Sequence, residues 1–299
     1  MGTAGMIDPQ IEQQLVAAGL SVDDVLWLIR RAIDEDLDGG VDVTTVATVP
    51  LDQRATLDLV ARRPGIAAGI PVAAAVFSVM SGDAVSIRYG KADGDMVQVG
   101  DVLISVTGPT HELLRAERPA LNLLGRLGGI ASMTRVWVEA VAGSNARIRD
   151  TRKTTPGMRK LEKYAVRCGG GTNHRMSLSD AALVKDNHVV AAGGVAEAFA
   201  LVRAKFPDVP VEVEVDSLEQ FDEVLEAGAD LVLIDNFTTD EMVEAVRRNA
   251  GRAKIEASGG LSLGVARAVA DTGVDYLAVG ALTHSAPVLD IGADLRQET

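Results

Sequence analysis

The chain has 299 residues, of which 47% are hydrophobic and 24% charged, as expected for a globular protein of one or two domains. Its formal charge of −13 argues against a nucleic-acid or anionic-membrane binder, because contacts with phosphate groups need a basic surface. The single cysteine, Cys168, excludes an intrachain disulfide framework, and no leader or membrane-spanning run is visible, so a cytoplasmic location is expected.

The N-terminal part of the chain is predicted to be an α+β domain. Ser21 is placed to cap a helix whose apolar residues recur at helical spacing and which ends in an acidic run before Gly39. From about Val41 to Pro109, short β-branched runs alternate with Gly-Asp turns, which is typical of an open β-sandwich. Residues 94–103 resemble the hammerhead turn of biotinyl and lipoyl carrier domains, but no Met-Lys-Met tip is present, and a shared β-turn explains the likeness.

A long helix is predicted from His111 to about Ala142, interrupted by Pro119 and by Gly128-Gly129. Proline removes a helical donor and restricts the residue before it, so a break or kink is expected there. The domain assignment that follows is residues 1–130, with 285–299 returning to them, and a second domain of residues 131–284.

After Gly143 the pattern becomes strand, loop and helix, which indicates a parallel sheet. Six strands are predicted: Arg147–Arg149, Ala182–Lys185, Val209–Val215, Leu231–Asp235, Lys254–Ala257 and Tyr276–Val279. This is the pattern of an α/β protein with a (β/α) barrel of TIM type. Because a full barrel has eight strands, either further strands lie between Thr154 and Ser179 or the barrel is incomplete.

Two glycine turns end consecutive strands of this region. Gly259-Gly260 follow the strand that starts at Lys254, and Gly280 follows the strand that starts at Tyr276. Loops after the last two strands of barrels often bind phosphate, and glycine lets the main-chain N–H groups approach its oxygens. Two ordinary strand-to-helix turns are the alternative, and the consecutive positions favour a phosphate site.

A local basic cluster contrasts with the negative charge of the chain. Only Asp150 and Glu162 oppose its nine members, which are Arg147, Arg149, Arg152, Lys153, Arg159, Lys160, Lys163, Arg167 and Arg175. Arg159, Lys160 and Lys163 are interpreted as a solvated helix face. Arg152 and Lys153 directly follow a strand, the position from which barrel enzymes present active residues, and so predict a doubly anionic substrate.

A polar segment follows three glycines at Gly169–Gly171. Its His174 is either a ligand-binding donor or a structural histidine, and its position beside Arg175 favours binding. Cys168 has no neighbouring base that would activate it as a nucleophile, and it is interpreted as structural.

Charged residues also end three buried apolar strands. Lys185, Glu214 and Asp235 lie at such ends, where a charge is costly unless it is paired or functional. Function is favoured over an ion-pair scaffold. Two carboxylates beside a phosphate group suit sugar hydroxyls, or Mg²⁺ bound through water.

In order along the chain, these motifs resemble those of the quinolinate phosphoribosyltransferase family. The resemblance starts at Asp42-Val-Thr-Thr45 and covers most of the sequence, and the ordered set is specific although each motif alone is weak. The matching motifs are Arg115-Ala-Glu-Arg118, Leu121-Asn-Leu123, Arg149-Asp-Thr-Arg-Lys-Thr154, Gly169-Gly-Gly-Thr-Asn-His-Arg175, Leu183-Val-Lys-Asp-Asn-His188, Val211-Glu-Val-Glu-Val-Asp216, Leu233-Ile-Asp-Asn-Phe237, Ala257-Ser-Gly-Gly260 and Asp275-Tyr-Leu-Ala-Val-Gly280.

The resemblance implies an incomplete barrel with an α+β N-terminal domain, in a homodimer or higher oligomer. It implies transfer of a phosphoribosyl group from phosphoribosyl pyrophosphate to quinolinate with Mg²⁺, loss of CO₂, and nicotinate mononucleotide and pyrophosphate as products. Lys153, Glu214 and Asp235 are the implied catalytic residues. The other implied substrate contacts are Arg118 from the neighbouring subunit, Thr151, Arg152, His174, Arg175 and Lys185 at quinolinate, and Ser258, Gly259, Gly260, Val279, Gly280 and Ala281 around the 5′-phosphate.

Two positions depart from the family pattern. Pro119 follows the Glu-Arg pair where a helix former is expected, which puts the aim of Arg118 in doubt, and Gly128-Gly129 replaces the more familiar Ser-Gly. Two other functions stay open: an aldolase or isomerase acting on a sugar phosphate, with a Schiff base on Lys153 or Lys185, and a molybdate-uptake paralogue or non-catalytic phosphate-ligand sensor.

Overall fold

A computed structural model of the protein describes residues 7–297. The chain forms two compact units. The first comprises the described residues up to Met133 together with Thr155–Gly170 and the segment from Ser285, and the second comprises Thr134–Thr154 and Gly171–His284. The segment Thr155–Gly170 therefore groups with the first unit, whereas the sequence-based assignment placed it with the barrel.

The helices follow the apolar periodicity of the sequence. Ser21 accepts a hydrogen bond from the Asp24 N–H at 3.4 Å, which confirms the predicted start of the second helix. A short 3₁₀ turn covers Gly82–Ala84. The α-helices are α1 (Pro9–Ala17), α2 (Val22–Leu37), α3 (Val43–Thr48), α4 (Ile70–Ser81), α5 (Thr110–Ala140), α6 (Arg159–Cys168), α7 (Asp186–Ala192), α8 (Val195–Lys205), α9 (Leu218–Glu226), α10 (Thr239–Asn249), α11 (Leu263–Asp271) and α12 (Ala281–His284).

The strands form one antiparallel sheet, one parallel sheet and a two-stranded ribbon. They are β1 (Arg54–Ala61), β2 (Gly65–Ile66), β3 (Ser86–Tyr89), β4 (Met96–Val97), β5 (Val102–Pro109), β6 (Arg147–Arg149), β7 (Ala182–Val184), β8 (Val211–Val215), β9 (Leu231–Asp235), β10 (Lys254–Ser258), β11 (Tyr276–Ala278) and β12 (Ile291–Gln297). In the first unit the antiparallel order is β12-β1-β5-β3, so the last strand of the chain pairs with the first.

Helix α5 runs through Pro119 without a break, so the predicted break there is wrong. A proline inside a helix costs roughly 3 kcal/mol, but Ala116 and Ala120 on either side of it are fully buried, and tertiary packing offsets that cost. Gly129 does not interrupt the helix either. A Cβ at Gly129 would lie 2.0 Å from the carbonyl oxygen of Pro287, so a glycine is required for close packing.

The parallel sheet of the second unit has six strands in the order β6-β11-β10-β9-β8-β7. All six predicted strands are confirmed, with ends that shift by at most two residues. Between Thr154 and Ser179 the structure contains a single isolated parallel bridge, Arg149 to Thr172, and no further strand. The barrel is therefore incomplete. Because the strands are parallel, their carboxyl ends meet at one edge, where the polar loops collect.

Within residues 7–297, no helix combines the length and the apolar character needed to cross a bilayer.

Candidate active site

A cavity of about 440 Å³ opens at the carboxyl edge of the parallel sheet, within the second unit. A volume of this size suits a small-molecule ligand. Its lining contains nine of the predicted site residues: Thr151, Arg152, Lys153, His174, Arg175, Lys185, Glu214, Asp235 and Ser258. Leu183, Leu233, Glu256 and Ala278 complete the lining, and the sequence did not point to them. The other predicted site residues, Arg118, Gly259, Gly260, Val279, Gly280 and Ala281, are not part of it.

Four cationic side chains line the cavity and are here called the basic wall: Arg152, Lys153, Arg175 and Lys185. Burial lowers the pKa of Arg175, and the nearby charge of Arg152 lowers it further. Two guanidinium groups this close repel each other unless an anion lies between them. The Nε–H of Arg152 is buried and has no hydrogen-bond partner among the described residues. The basic wall therefore favours a ligand with two negative groups.

The loop after β6 fixes Lys153 at the border of the cavity. The Lys153 N–H donates to Thr151 Oγ1 at 3.1 Å, and Thr283 Oγ1 donates to the Lys153 carbonyl at 2.8 Å. A Cβ at Gly280 would lie 3.1 Å from Lys153 Cδ. The lysine thus lies directly beside the Gly280 turn, and its exposed side chain is free to reach toward either end of the site.

Two carboxylates at adjacent strand ends form the acidic side of the cavity. Glu214 of β8 forms an ion pair with Lys185, and Asp235 ends the neighbouring strand β9. Burial raises the pKa of Glu214, Lys185 opposes that shift, and the charge of Asp235 adds to it, so the two carboxylates interact. Asn236 Nδ2 donates to Asp235 at 2.6 Å and limits its movement. Lys185 and Glu214 therefore form an ion pair, the alternative that the sequence left open, and both side chains also line the cavity.

The Gly259-Gly260 turn has positive φ at both residues, +85° and +60°. A Cβ at Gly259 would lie 2.2 Å from Asn236 Oδ1, which is impossible without displacement, so this glycine is needed for packing whatever the ligand. At Gly260 nothing lies within 4 Å of the position of a Cβ. Open space beside main-chain N–H groups in this conformation suits an anion such as phosphate.

Beneath the basic wall lies a buried group of four charged or polar residues that sequence reasoning did not assemble, here called the interior cluster: Arg149, His174, Glu212 and Glu256. Arg149 Nη1 binds Glu256 Oε2 at 2.5 Å, and His174 Nε2 lies 2.8 Å from Glu212 Oε2 and 3.5 Å from Glu256 Oε1. Burial, followed by the charge of Glu212, raises the pKa of Glu256 to about 7. The signal in the sequence was a glutamate between two apolar residues in each of two strands, Glu212 in β8 and Glu256 in β10.

The interior cluster is a poor site for a metal ion. Ligand atoms of His174, Glu212 and Glu256 lie within 4.8 Å of one another, but the Arg149 guanidinium already occupies Glu256. Glu214 and Asp235 are better suited to Mg²⁺, because they offer carboxylate oxygens at the border of the cavity. Mg²⁺ keeps several waters and needs few protein carboxylates, so these residues fit the ion.

The predicted solvated helix face within the basic cluster is only partly confirmed. Lys160 is exposed and pairs with Asp24, as expected of a solvated helix face, but Lys163 is fully buried, so that part of the prediction is wrong. The reason is that α6 packs within the first unit, where all residues from Leu161 to Val166 are buried.

Burial raises the pKa of Cys168 to about 12, which keeps its thiol protonated and agrees with a structural role.

The two domains of one protein family match the chain along most of its length. The one described as the N-terminal domain of quinolinate phosphoribosyl transferase covers residues 42–128, and the one described as its C-terminal domain covers residues 130–294.

Relatives of known name and structure agree with this match. The chain is 52% identical over 271 residues to the nicotinate-nucleotide pyrophosphorylase [carboxylating] of Mycobacterium leprae, covering 89% of this chain and 95% of that protein. It is 36% identical to quinolinate phosphoribosyltransferase [decarboxylating] 1b of Nicotiana tabacum, covering 92% and 83%. The crystal structure of NadC from Streptococcus pyogenes superposes with a TM-score of 0.90 at 38% identity, covering 94% and 99%. The chain belongs to the quinolinate phosphoribosyltransferase family.

Proposed function

We propose that the cavity of the second unit joins quinolinate to phosphoribosyl pyrophosphate and releases CO₂, giving nicotinate mononucleotide and pyrophosphate for NAD biosynthesis. The enzyme is then a decarboxylating pentosyltransferase, in line with the names of the relatives from Mycobacterium leprae and Nicotiana tabacum. The observation that carries the proposal is the pairing of Arg152 with Arg175 in one cavity wall, because two adjacent guanidinium groups match the two carboxylates of quinolinate.

Quinolinate binds at the basic wall. Arg152 and Arg175 bind its carboxylates, Lys185 adds a point charge, and Thr151 contributes a hydroxyl group to the same loop. His174 contributes to this end by accepting a hydrogen bond from the Arg175 main-chain N–H. Lys153 lies between the two ends, beside Gly280, and serves both substrates.

Phosphoribosyl pyrophosphate binds along the acidic side. Glu214 and Asp235 accept hydrogen bonds from the ribose hydroxyls, and the main-chain N–H groups around Ser258–Gly260 and Val279–Ala281 surround the 5′-phosphate. Mg²⁺ would be held near Glu214 and Asp235 through water and pyrophosphate, where it offsets the charge of the leaving group. This ion is a cofactor of the proposed reaction.

Positioning and charge account for the chemistry. As the C1–O bond to pyrophosphate breaks, the ribose becomes oxocarbenium-like, and the carboxylates of Glu214 and Asp235 stabilise that positive charge. The basic wall orients quinolinate so that its ring nitrogen donates its lone pair to C1. The cationic ring then takes up the electron pair of the adjacent carbon–carboxylate bond as CO₂ leaves, and a proton replaces the carboxylate. No side chain has to act as a covalent nucleophile.

A homodimer, or a higher oligomer built from it, is part of the proposal. The side chain of Arg118 is 61% exposed and interacts only weakly with Glu117, at 4.0 Å. An arginine with this exposure is available to a neighbouring subunit, where it would add a positive charge to the quinolinate end. The cytoplasmic location expected from the sequence stays a prediction.

The reaction is tested with quinolinate that carries a label in the carboxylate next to the ring nitrogen. The folded protein is incubated with this quinolinate, phosphoribosyl pyrophosphate and Mg²⁺, and labelled CO₂ and nicotinate mononucleotide are measured in parallel. One CO₂ is expected for each mononucleotide. If the folded protein forms neither product, the proposed reaction is wrong. Borohydride treatment with sugar phosphates is the control for an aldolase, which would be trapped at Lys153 or Lys185.

The contribution of Arg118 across an interface is tested by mixing two inactive variants. Arg118→Ala and Lys153→Ala protomers are unfolded together in equal amounts and refolded. About half of the dimers are then hybrids, and each hybrid has one intact site out of two. About a quarter of the wild-type activity is therefore expected. If Arg118 acts within its own subunit, every site in the mixture lacks one residue. No recovery of activity would then be observed.

A further inference from the structure

We propose that the interior cluster is a positioning device in which Glu212, assisted by Glu256, fixes His174 as the neutral tautomer protonated on Nε2, so that His174 anchors the main chain of Arg175. This inference rests on the proposed function, because it explains how the quinolinate end of the site is kept in place. It changes the role of His174. The ring supports Arg175 from within the protein and does not donate a ring N–H to a carboxylate of the substrate.

The hydrogen bonds of His174 define its tautomer. The Arg175 main-chain N–H donates to His174 Nδ1 at 2.8 Å, and because an amide nitrogen is always a donor, Nδ1 has to carry a lone pair. The ring proton therefore lies on Nε2, which faces Glu212 Oε2 at 2.8 Å. The neutral ring with its proton on Nε2 satisfies both contacts, whereas an Nδ1–H would face the Arg175 N–H, donor against donor.

The partners of His174 are themselves fixed by the sheet. Glu212 lies in β8 and Glu256 in β10, and both side chains are almost fully buried. Arg149 of β6 binds Glu256 and lies 4.5 Å from the ring centre of Tyr276 in β11. Glu212 and Glu256 thus hold the imidazole directly, and Arg149 holds Glu256.

The main chain around His174 is fixed as well. Its N–H donates to Asp150 Oδ1 at 2.8 Å, and Asp150 is fully buried. The Arg175 side chain is held further along, since Nη1 donates to the Ala181 carbonyl at 2.9 Å. These contacts leave the His174 ring as the element that connects the interior carboxylates to the Arg175 main chain.

The charge of the interior cluster supports the same role. Arg149 is bound to Glu256, so Glu212 faces the neutral His174 ring without a cation of its own within the interior cluster. The charge of Glu212 raises the pKa of Arg175 and so works against the lowering by Arg152. Glu212 therefore holds the position of Arg175 through His174 and also stabilises its positive charge beside Arg152.

A metal ion is the alternative occupant for these side chains. It would have to displace Arg149 from Glu256 and the proton from His174 Nε2, and either change leaves a buried charge without its partner. The existing contacts therefore favour a positioning cluster over a metal site.

The first test is independent of catalysis. Nitrogen NMR of the four histidines in the ligand-free protein should show His174 with an unprotonated Nδ1 and a protonated Nε2, and the same pattern should persist when quinolinate is bound. His188 is an internal reference, because its Nδ1 accepts from the Lys185 N–H at 3.0 Å. A cationic His174, or a proton on Nδ1, would overturn the proposal.

The second test separates the two substrates. Glu212→Ala removes the acceptor of Nε2, and leaving such a buried group unsatisfied corresponds to a rise in the quinolinate KM of between about fivefold and a hundredfold. The KM for phosphoribosyl pyrophosphate should change less than twofold. Glu212→Gln keeps an acceptor without the charge and should restore the tautomer and part of the quinolinate KM.

A matched control is available in the first unit. Asp58 is a buried carboxylate that binds the exposed Arg296 side chain at 2.6 Å, so Asp58→Ala removes a buried carboxylate and its ion pair within the first unit. It should lower stability without separating the two KM values. If Glu212→Ala behaves in the same way, the proposal is wrong. If Glu212→Ala does not fold, the spectra of the wild type and of Glu212→Gln still decide it. Wild-type protein that forms no product contradicts the reaction instead and leaves the tautomer result standing.

Discussion

Replacing Gly259 by alanine is expected to disturb the phosphoribosyl end of the site more than the quinolinate end. Gly259 has φ of +85°, and holding an alanine in this region costs about 1–2 kcal/mol. The added Cβ would also lie 2.2 Å from Asn236 Oδ1 and 2.9 Å from Asn236 N, so the backbone after β9 has to move. Relief of such overpacking costs a further 1–3 kcal/mol or so.

The displacement of Asn236 has a direct route to the chemistry. Its side chain donates to Asp235 at 2.6 Å, so movement of Asn236 shifts the carboxylate proposed to bind the ribose. A misplacement of about 1 Å lowers turnover by on the order of a hundredfold. We expect kcat/KM for phosphoribosyl pyrophosphate to fall by about ten- to a hundredfold, while quinolinate binding measured by calorimetry without the donor stays within about threefold.

Gly228→Ala is the matched control for backbone strain. Gly228 has φ of +88°, it precedes β9 at the opposite edge of the sheet, and nothing lies within 4 Å of its Cβ position. Urea unfolding should show a loss of about 1–2 kcal/mol for this variant, with unchanged kinetic constants. If Gly259→Ala has the same stability and kinetics as Gly228→Ala, the contact with Asn236 does not position Asp235, and the reasoning is refuted.

Three other predictions address the basic wall, the interior cluster and helix α5. Lys153→Ala should lower kcat/KM at least a hundredfold with little change in Tm, because the side chain is exposed; unchanged kinetics would remove Lys153 from the site. Burial raises the pKa of Glu256 in the folded protein to about 7 from an ordinary 4.5. Its contribution to stability is therefore fully present below about pH 4.5 and is lost as the pH rises through about 7, so the unfolding free energy of the wild type minus that of Glu256→Gln should decrease across this window. A difference that is constant with pH would contradict the raised pKa. Gly129→Ala should lower Tm in thermal unfolding, because its Cβ meets the Pro287 carbonyl. The control Gly264→Ala lies in the open first turn of α11 and should be neutral or stabilising by up to about 1 kcal/mol. Equal shifts in Tm for the two variants would exclude the packing explanation.

The parallel sheet could be predicted because its strands are buried on both faces. Val213, Val232 and Ile234 have no or almost no exposed surface, and such strands give continuous apolar runs that end in glycine or charged residues. The path of α5 through Pro119 could not be predicted in this way. A proline inside a helix does cost free energy, as the local rule states. The burial of Ala116 and Ala120 that offsets this cost is a tertiary effect, and the local sequence does not contain it.

The two ends of the proposed site also differ in how far the sequence defines them. The phosphate turns are local, since a strand and the glycine after it are consecutive in the chain. The interior cluster is non-local: Arg149 and Glu256 are 107 residues apart, and they meet only because β6 and β10 both flank β11. A charged residue within a short apolar strand looks the same whether it faces solvent or a buried partner. Sequence reasoning therefore selected Glu214 at the strand end and passed over Glu212.

The buried partners of His174 explain why the basic wall can be so strongly charged. Burial and then the charge of Arg152 lower the pKa of Arg175, so a nearby negative charge is needed to stabilise the two guanidinium groups. Glu212 lies beneath them, and it is too deeply buried to compete with the proposed substrate for the guanidinium groups at the cavity surface. An exposed carboxylate bound to Arg152 and Arg175 would occupy the position proposed for the substrate carboxylates. Placing the compensating charge inside the sheet, with His174 between it and Arg175, keeps the wall ordered and available for a dianion.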